Sequence, residues 1–403
     1  MQLLDVLRGF ALFGVLVANL VWYECDMVLT RAAAAALPTH TIDAYAKTLV
    51  VFFVDGKFIT IFSFLFAVGF TIQIRRASER GATPALVYGR RLAVLFVLGC
   101  LHMALLWFGD ILLMYSLMGG LLLAVRRWQP GRAMVAVAAA LILLSHFTFE
   151  VVNHVTASPP PANAAAPPEG LRQERLTAAF RAEYPSVVRK NVRLAAGDLV
   201  GAGVILFLLP EIFGRFLLGF YAGRRGWPFD IASHRAVLWR ALPWLLLVGV
   251  IGNGVAVARE WSESAAGTAD QPPWLLATPV IQLGIVSMAA FYAACVALLM
   301  QGQRSARLLA HLAPVGRMAL TNYLTHSVVF LLIMTGVGLG AAGRFGAAAC
   351  LAISVALFAC QIVLSAWWLR RFRFGPVEWV WRSLTYGRAQ TMRVEPAAAR
   401  VGP

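Results

Sequence analysis

An all-α bundle of about ten transmembrane helices is the fold class this sequence predicts, and three observations predict it. Hydrophobic residues make up 60% of the 403-residue chain and charged residues only 13%, against about 25% charged in a soluble globular chain. Apolar runs of roughly 17–25 residues, long enough to cross a bilayer core, recur along the whole sequence. Arginines collect in every second connection between those runs, as the positive-inside rule requires of a multi-pass protein, and only the long outer loop 152–197, with six basic residues from Arg172 to Arg193, resists it. The formal net charge of +16 then reads as a cytoplasmic Lys/Arg bias. Nucleic-acid binding would need the basic residues gathered in a soluble domain, and the sequence offers none.

The first span covers about residues 7–23. No basic segment precedes it and no small-residue cleavage site follows, so it is expected to stay in the membrane as a helix. An outer loop at 24–57 contains a short helix at about 41–54, closed by Asp55-Gly56-Lys57. Spans at 58–74 and 92–108 flank Arg75, Arg76, Arg80, Arg90 and Arg91. Gly109-Asp110 leaves room only for a tight outer turn before the span at 110–126. Arg126, Arg127 and Arg132 lead into the fifth span, 133–151. The long outer loop 152–197 opens with a Pro/Ala spacer at 158–168 and continues as a surface helix over about 170–195. Spans at 198–222 and 237–258 enclose Arg224, Arg225, Arg235 and Arg240. Arg304 and Arg307 separate the span at 275–301 from that at 317–339, and the last span is 346–369. Beyond it, Glu378, Trp379, Trp381 and Arg382 form an amphipathic stretch expected to lie on the inner membrane surface. Residues 1–388 are thus one transmembrane domain with both termini cytoplasmic, and 389–403 a loose cytoplasmic tail. No internal repeat is visible, which weighs against the commonest transporter architecture.

Polar residues inside the spans point to function, because hydrocarbon tolerates them only against protein or a wet cavity. At a rise of about 1.5 Å per residue, His102 lies about 15 Å into its helix, near the bilayer midplane. Asn322 and His326 stand one helical turn apart on one face of the ninth span. Asn19, Glu211 and Arg215 fall at similar depth, and Glu211 and Arg215 can pair at i, i+4. For Asn19, Gln282 and the Glu211–Arg215 pair, interhelical hydrogen bonding is as good a reading as function. His146 and His154 are expected at the outer interface, and His234 and His311 in solvated inner loops. His102 has no charged neighbour in sequence, so it needs a partner from another helix or a substrate. An imidazole with an ordinary pKa near 6.5 suits general-base work. Asp5 and Arg8 open the first span and Arg90 and Arg91 the third, forming a belt that would meet an anionic cofactor or lipid headgroups. The five cysteines show no metal-ligand or disulfide spacing, and no metal site is expected.

The segment Leu4-Asp-Val-Leu-Arg-Gly-Phe-Ala-Leu-Phe-Gly-Val-Leu-Val-Ala-Asn19 resembles the opening signature of the YeiB-like family of bacterial membrane proteins, domain of unknown function 418. So do residues 55–69, residues 101–111, Gly316-Arg-Met-Ala-Leu-Thr-Asn-Tyr-Leu324 and residues 373–387. The opening is also similar to that of membrane acyltransferases that acylate glycans. In those enzymes an acyl group from cytoplasmic acyl-CoA reaches an acceptor across the membrane. The resemblance implies a transmembrane acyltransferase in the bacterial inner membrane, with acyl-CoA as co-substrate and a glycan or small-molecule hydroxyl or amine as acceptor. His102 would be the base, Asp110 would orient it or the acceptor, and Asn322 or Tyr323 would steady the thioester oxyanion. Asp5, Arg8, Asn19, Arg91 and Arg317 would line the acyl-CoA side. His326 departs from the family pattern, which carries Gln or an apolar residue there, and stands with His40 as a fallback base. A small-solute transporter or channel using the same polar slab, and a protein whose polar groups only pack helices, are the rival readings. A homodimer stays open, since nothing in the sequence fixes the oligomeric state.

Overall fold

A computed structural model of the chain describes residues 2–79, 83–156, 177–178, 181, 183–200, 208–266 and 277–394. The helices used below are α1 (Gln2–Val21), α2 (His40–Phe53), α3 (Lys57–Glu79), α4 (Pro84–Leu105), α5 (Leu112–Ala124) and α6 (Arg132–Thr156). They continue as α7 (Tyr184–Val200), α8 (Leu209–Arg225), α9 (Ile231–Ala266), α10 (Ala277–Leu299), α11 (Ala319–Met334), α12 (Ala347–Leu369) and α13 (Pro376–Tyr386). Among the described residues there is no strand beyond one isolated bridge, between Phe372 and Arg393. The protein is therefore all-α and multi-pass.

Among the described residues seven helices are long and apolar enough to cross a membrane, and an eighth if a bent pair counts as one span. Each of the ten expected runs meets a helix, but three are short, among them α11 with 16 residues. α5 has 13 residues, a rise of about 20 Å, less than the roughly 30 Å of a hydrocarbon core. α8 has 17 and begins where the described residues resume. The outer helix expected at 41–54 is α2. The spacer at 158–168 lies outside the described residues, and of the surface helix expected at 170–195 mainly the part in α7 is described.

α1 is the central helix, with 12 of its 20 residues buried. It packs against α3, α11, α12 and the short helix Ala313–Arg317. The last contact is glycine-made: a methyl group on Gly316 would overlap the Asp5 carbonyl oxygen. Inside a membrane, where burial from water drives little, such close backbone approach supplies packing energy instead.

The ninth span is broken. Gln303–Arg317 and α11 meet at 75° across Met318. The break frees the first N–H groups of α11, and a distant carboxylate takes them. Glu378 Oε1 accepts Leu320 N–H at 2.7 Å and Thr321 N–H at 3.1 Å, and Oε2 accepts the Thr321 hydroxyl at 2.5 Å. A carboxylate suits a helix N-terminus, where the dipole is positive. Burial pushes this carboxyl above the ordinary glutamate value, and the Thr321 and Leu320 donors work against that. Glu378 itself thus faces protein, while Val380, Leu384 and Tyr386 of the same helix stay exposed. An amphipathic pattern shows that one helix face is covered, without showing whether lipid or protein covers it. Here protein covers one side: Trp381 donates to the Arg91 carbonyl at 2.9 Å and lies under the Arg91 guanidinium at 3.7 Å. Residues following α13 also fold back, with Arg373 N–H donating to Met392 O at 2.8 Å.

Candidate functional site

α4 ends at Leu105, and a tight turn through Gly109 leads into α5. The turn brings Asp110 back against the last turns of α4. His102 Nδ1 lies 2.7 Å from Asp110 Oδ1, and His102 Nε2 lies 2.7 Å from the hydroxyl oxygen of Ser327 on α11. Asp110 is held from behind, because its Oδ2 accepts Leu113 N–H at 2.6 Å in the first turn of α5. Gly99, one turn before His102, makes the fit possible: a methyl group there would sit 2.9 Å from Asp110 Oδ2. Tyr323, one turn before Ser327, packs its ring on the imidazole with centroids 5.2 Å apart, and its hydroxyl accepts Ile111 N–H at 3.3 Å. His102, Asp110 and Ser327 are all buried. A carboxylate can only accept, so Asp110 fixes the proton on Nδ1 and leaves the Nε2 lone pair facing Ser327.

Beside this chain of three lies a cavity of about 360 Å³, lined mostly by apolar and aromatic side chains of α1, α3 and the α4–α5 turn. Asp110 and Ile111 form part of its wall, as do Asn19, Trp22, Trp107 and Phe108. His102 does not line it, nor does any residue of α11. Among the described residues the Asn19 carboxamide has no hydrogen-bond partner, so its donors and acceptor are free for whatever fills the cavity.

The other predicted residues separate into distinct environments. Asn322 and His326 share a face of α11, but that face meets α12 rather than His102. Asn322 Nδ2 donates to Ser365 at 3.0 Å and to the Val315 carbonyl at 3.3 Å. His326 Nε2 lies 2.9 Å from Gln361 Oε1, and Gln361 donates back to the Asn322 carbonyl at 3.1 Å. Asn322 is therefore spent on packing contacts and is not placed with His102. At the other end of the bundle Arg8 pairs with Asp5 at 2.9 Å, Arg317 acts electrostatically on Asp5, and Arg91 stacks on Trp381. His40 is exposed and lies 3.1 Å from the Thr41 hydroxyl.

A second polar cluster sits on α6, α8 and α10. Glu211 pairs with Arg215, Arg215 reaches Gln282 at 3.4 Å, and His146 Nδ1 lies 2.6 Å from the other Glu211 oxygen. The part-exposed His146 thus stands at ion-pair distance from a buried carboxylate; the side chain of His154 is outside the described ones. Among the described residues no three His, Cys, Asp or Glu side chains gather as a metal site.

Sequence reasoning missed Ser327 and Gly99. Serine in a membrane helix carries little signal, since its hydroxyl usually falls back on the carbonyl four residues earlier. Thr325, Thr335 and Ser354 do so here, at 2.8, 2.7 and 2.9 Å. The available clue was spacing: Ser327 stands at i+4 from Tyr323.

Fold and site together define a multi-pass membrane protein with a buried Asp–His–Ser chain against an apolar cavity. Comparison with known proteins narrows the class. The model of the family described as "Protein of unknown function (DUF418)" matches residues 222–388. The chain is 32% identical over 398 residues to "Uncharacterized protein YxaH" of Bacillus subtilis (strain 168), covering 95% of this chain and 93% of the relative. It is 30% identical over 400 residues to "Uncharacterized 39.9 kDa protein in amylase 3'region" of Bacillus acidopullulyticus, covering 96% and 93%. It is 28% identical over 397 residues to "Uncharacterized protein YeiB" of Escherichia coli (strain K12), covering 95% of each. The chain belongs to this YeiB-like DUF418 family.

Proposed function

We propose that the protein is an acyltransferase of the bacterial cytoplasmic membrane, moving an acyl group from cytoplasmic acyl-CoA to a hydroxyl or amine at the outer side. The observation that carries this reading is the His102 imidazole, oriented by Asp110, with its free nitrogen on a hydroxyl. A general base so oriented contributes about 10²–10⁴-fold in rate. The adjoining cavity is apolar, as an acyl chain requires, and Asn19 is its uncommitted amide. With Asn322 committed to Ser365, Asn19 is the better donor for the thioester oxygen. Arg8, Arg91 and Arg317 remain the cationic side chains on the acyl-CoA side.

The second reading, a small-solute transporter, is favoured by the Glu211–Arg215–His146 cluster, since buried charge in a membrane marks many translocation paths. Purified protein decides between them. Release of free CoA thiol from acyl-CoA, dependent on His102, supports the enzyme; solute uptake by proteoliposomes without acyl-CoA sinks it. The sidedness is tested by cysteine labelling in intact cells. Cysteine at Tyr45 should react with an impermeant reagent and cysteine at Arg127 should not; the reverse would invert the bundle.

A further inference from the structure

We propose that Ser327 is the nucleophile of this centre, taking the acyl group as an oxygen ester before the acceptor receives it; the inference rests on the acyl-transfer reading above. His102 has two ring nitrogens and both are committed. Asp110 holds Nδ1, so the only lone pair the imidazole can use as a base is on Nε2, and Nε2 is 2.7 Å from Ser327 Oγ. The first proton available to this base is therefore that of Ser327. An outside acceptor would have to displace the serine to be activated directly.

The local structure agrees. Ser327 meets His102, where its neighbours Thr325 and Thr335 bond their own helix carbonyls. A carboxylate, an imidazole and a hydroxyl in series form the arrangement that activates serine on several unrelated folds. Tyr323 links the pair to the cavity: its ring packs on His102, and its hydroxyl holds the N–H of Ile111, a lining residue. Ser327 itself is buried behind that contact and does not line the cavity, so an acyl donor reaches it only if the Tyr323–Ile111 contact opens.

The steps balance. Ser327 Oγ attacks the thioester carbonyl carbon and gives its proton to His102 Nε2. The carbon–sulfur bond breaks, and the thiolate leaves with the proton from His102. The acceptor O–H or N–H then gives its proton to His102 and attacks the acyl-serine ester. The carbon–Oγ bond breaks, and Ser327 recovers its proton. A covalent stage also removes the need for donor and acceptor to occupy the site together, although they arrive from opposite sides.

The test uses the full chain in nanodiscs with two probes. A fluorophosphonate, read by peptide mass spectrometry, should modify Ser327 and no other serine, and His102→Ala should slow the labelling at least about 10²-fold. Radiolabelled acetyl-CoA and dodecanoyl-CoA, offered without acceptor, should leave acyl label on Ser327. Ser327→Ala should abolish it. Ser327→Cys guards against a folding failure, because its label should become a thioester released by neutral hydroxylamine. If Ser327→Ala releases CoA at the wild-type rate, the covalent stage is overturned and the acyltransferase reading survives. If neither acyl-CoA is consumed by wild-type protein yet the fluorophosphonate marks Ser327, the reading falls and the nucleophile stands. Absence of both labels overturns the inference.

Discussion

The two faces of α11 carry the same kinds of side chain and use them differently. On one face Asn322 and His326 bond Ser365 and Gln361 of α12, and Gln361 returns a bond to the Asn322 backbone. These bonds tie α11 to α12 and to Val315 of the preceding short helix, the buried His326 Nδ1 has no hydrogen-bond partner, and no carboxylate is involved. On the other face Tyr323 and Ser327 meet His102, which is backed by Asp110 and through it by a cavity. That chain is open-ended and directional: it runs from an acceptor-only carboxylate to a hydroxyl with a proton to lose. A polar residue in a membrane helix is thus not read by its type or depth. What it faces separates glue from chemistry.

The comparison is broken most directly by paired substitutions. His102→Ala or Asp110→Asn should lower acyl transfer by about 10²–10⁴-fold, the second by favouring the wrong tautomer. His326→Ala should leave turnover near normal. Equal losses on the two faces, measured by CoA-thiol release, would erase the distinction. Gly99→Ala is next. The added methyl group would press on the Leu113 backbone nitrogen at 2.5 Å and on Asp110 Oδ2 at 2.9 Å, and misplacing the carboxylate by about 1 Å should cost about 10²-fold in turnover while leaving the protein inserted. Unchanged turnover would mean that Asp110 does not need its observed position.

Smaller effects concern stability. Glu378→Ala removes the acceptor for three donors at the start of α11 and should cost about 1 kcal/mol in thermal unfolding. Activity should fall with it, because both faces share that helix. The smallest effect belongs to the face against α12. A double-mutant cycle of His326→Leu and Gln361→Leu should return a coupling of about 0.6 kcal/mol, as interhelical bonds in membranes do. A coupling several times larger would make that face more than packing.

Much of this was legible in the sequence, because membrane physics writes strongly. Length and hydropathy place the spans, and a lone imidazole in Leu98-Gly-Cys-Leu-His102 advertises a partner. The tight turn at Gly109-Asp110 brought the carboxylate to His102 as the short connection required. Asn322 and His326 do share a face, as their spacing predicts, yet spacing cannot say which helix that face meets. Ser327 was invisible because serine satisfies itself on its own backbone at no cost. The Glu378 cap was invisible because an amphipathic helix docked on protein and one lying on lipid have the same periodicity.

The Glu378 cap sets an order of assembly. The start of α11 is held by a side chain 58 positions further along the chain from Leu320. A ribosome must deliver α12, the bend after it and the first turn of α13 before the cap can form. Until then the opening N–H groups of α11 must find other partners, and its Asn322–His326 face waits for α12. The Asp–His–Ser chain is complete only late in biogenesis. A nascent protein halted before residue 378 would therefore carry His102, Asp110 and Ser327 in full and still lack a fixed site.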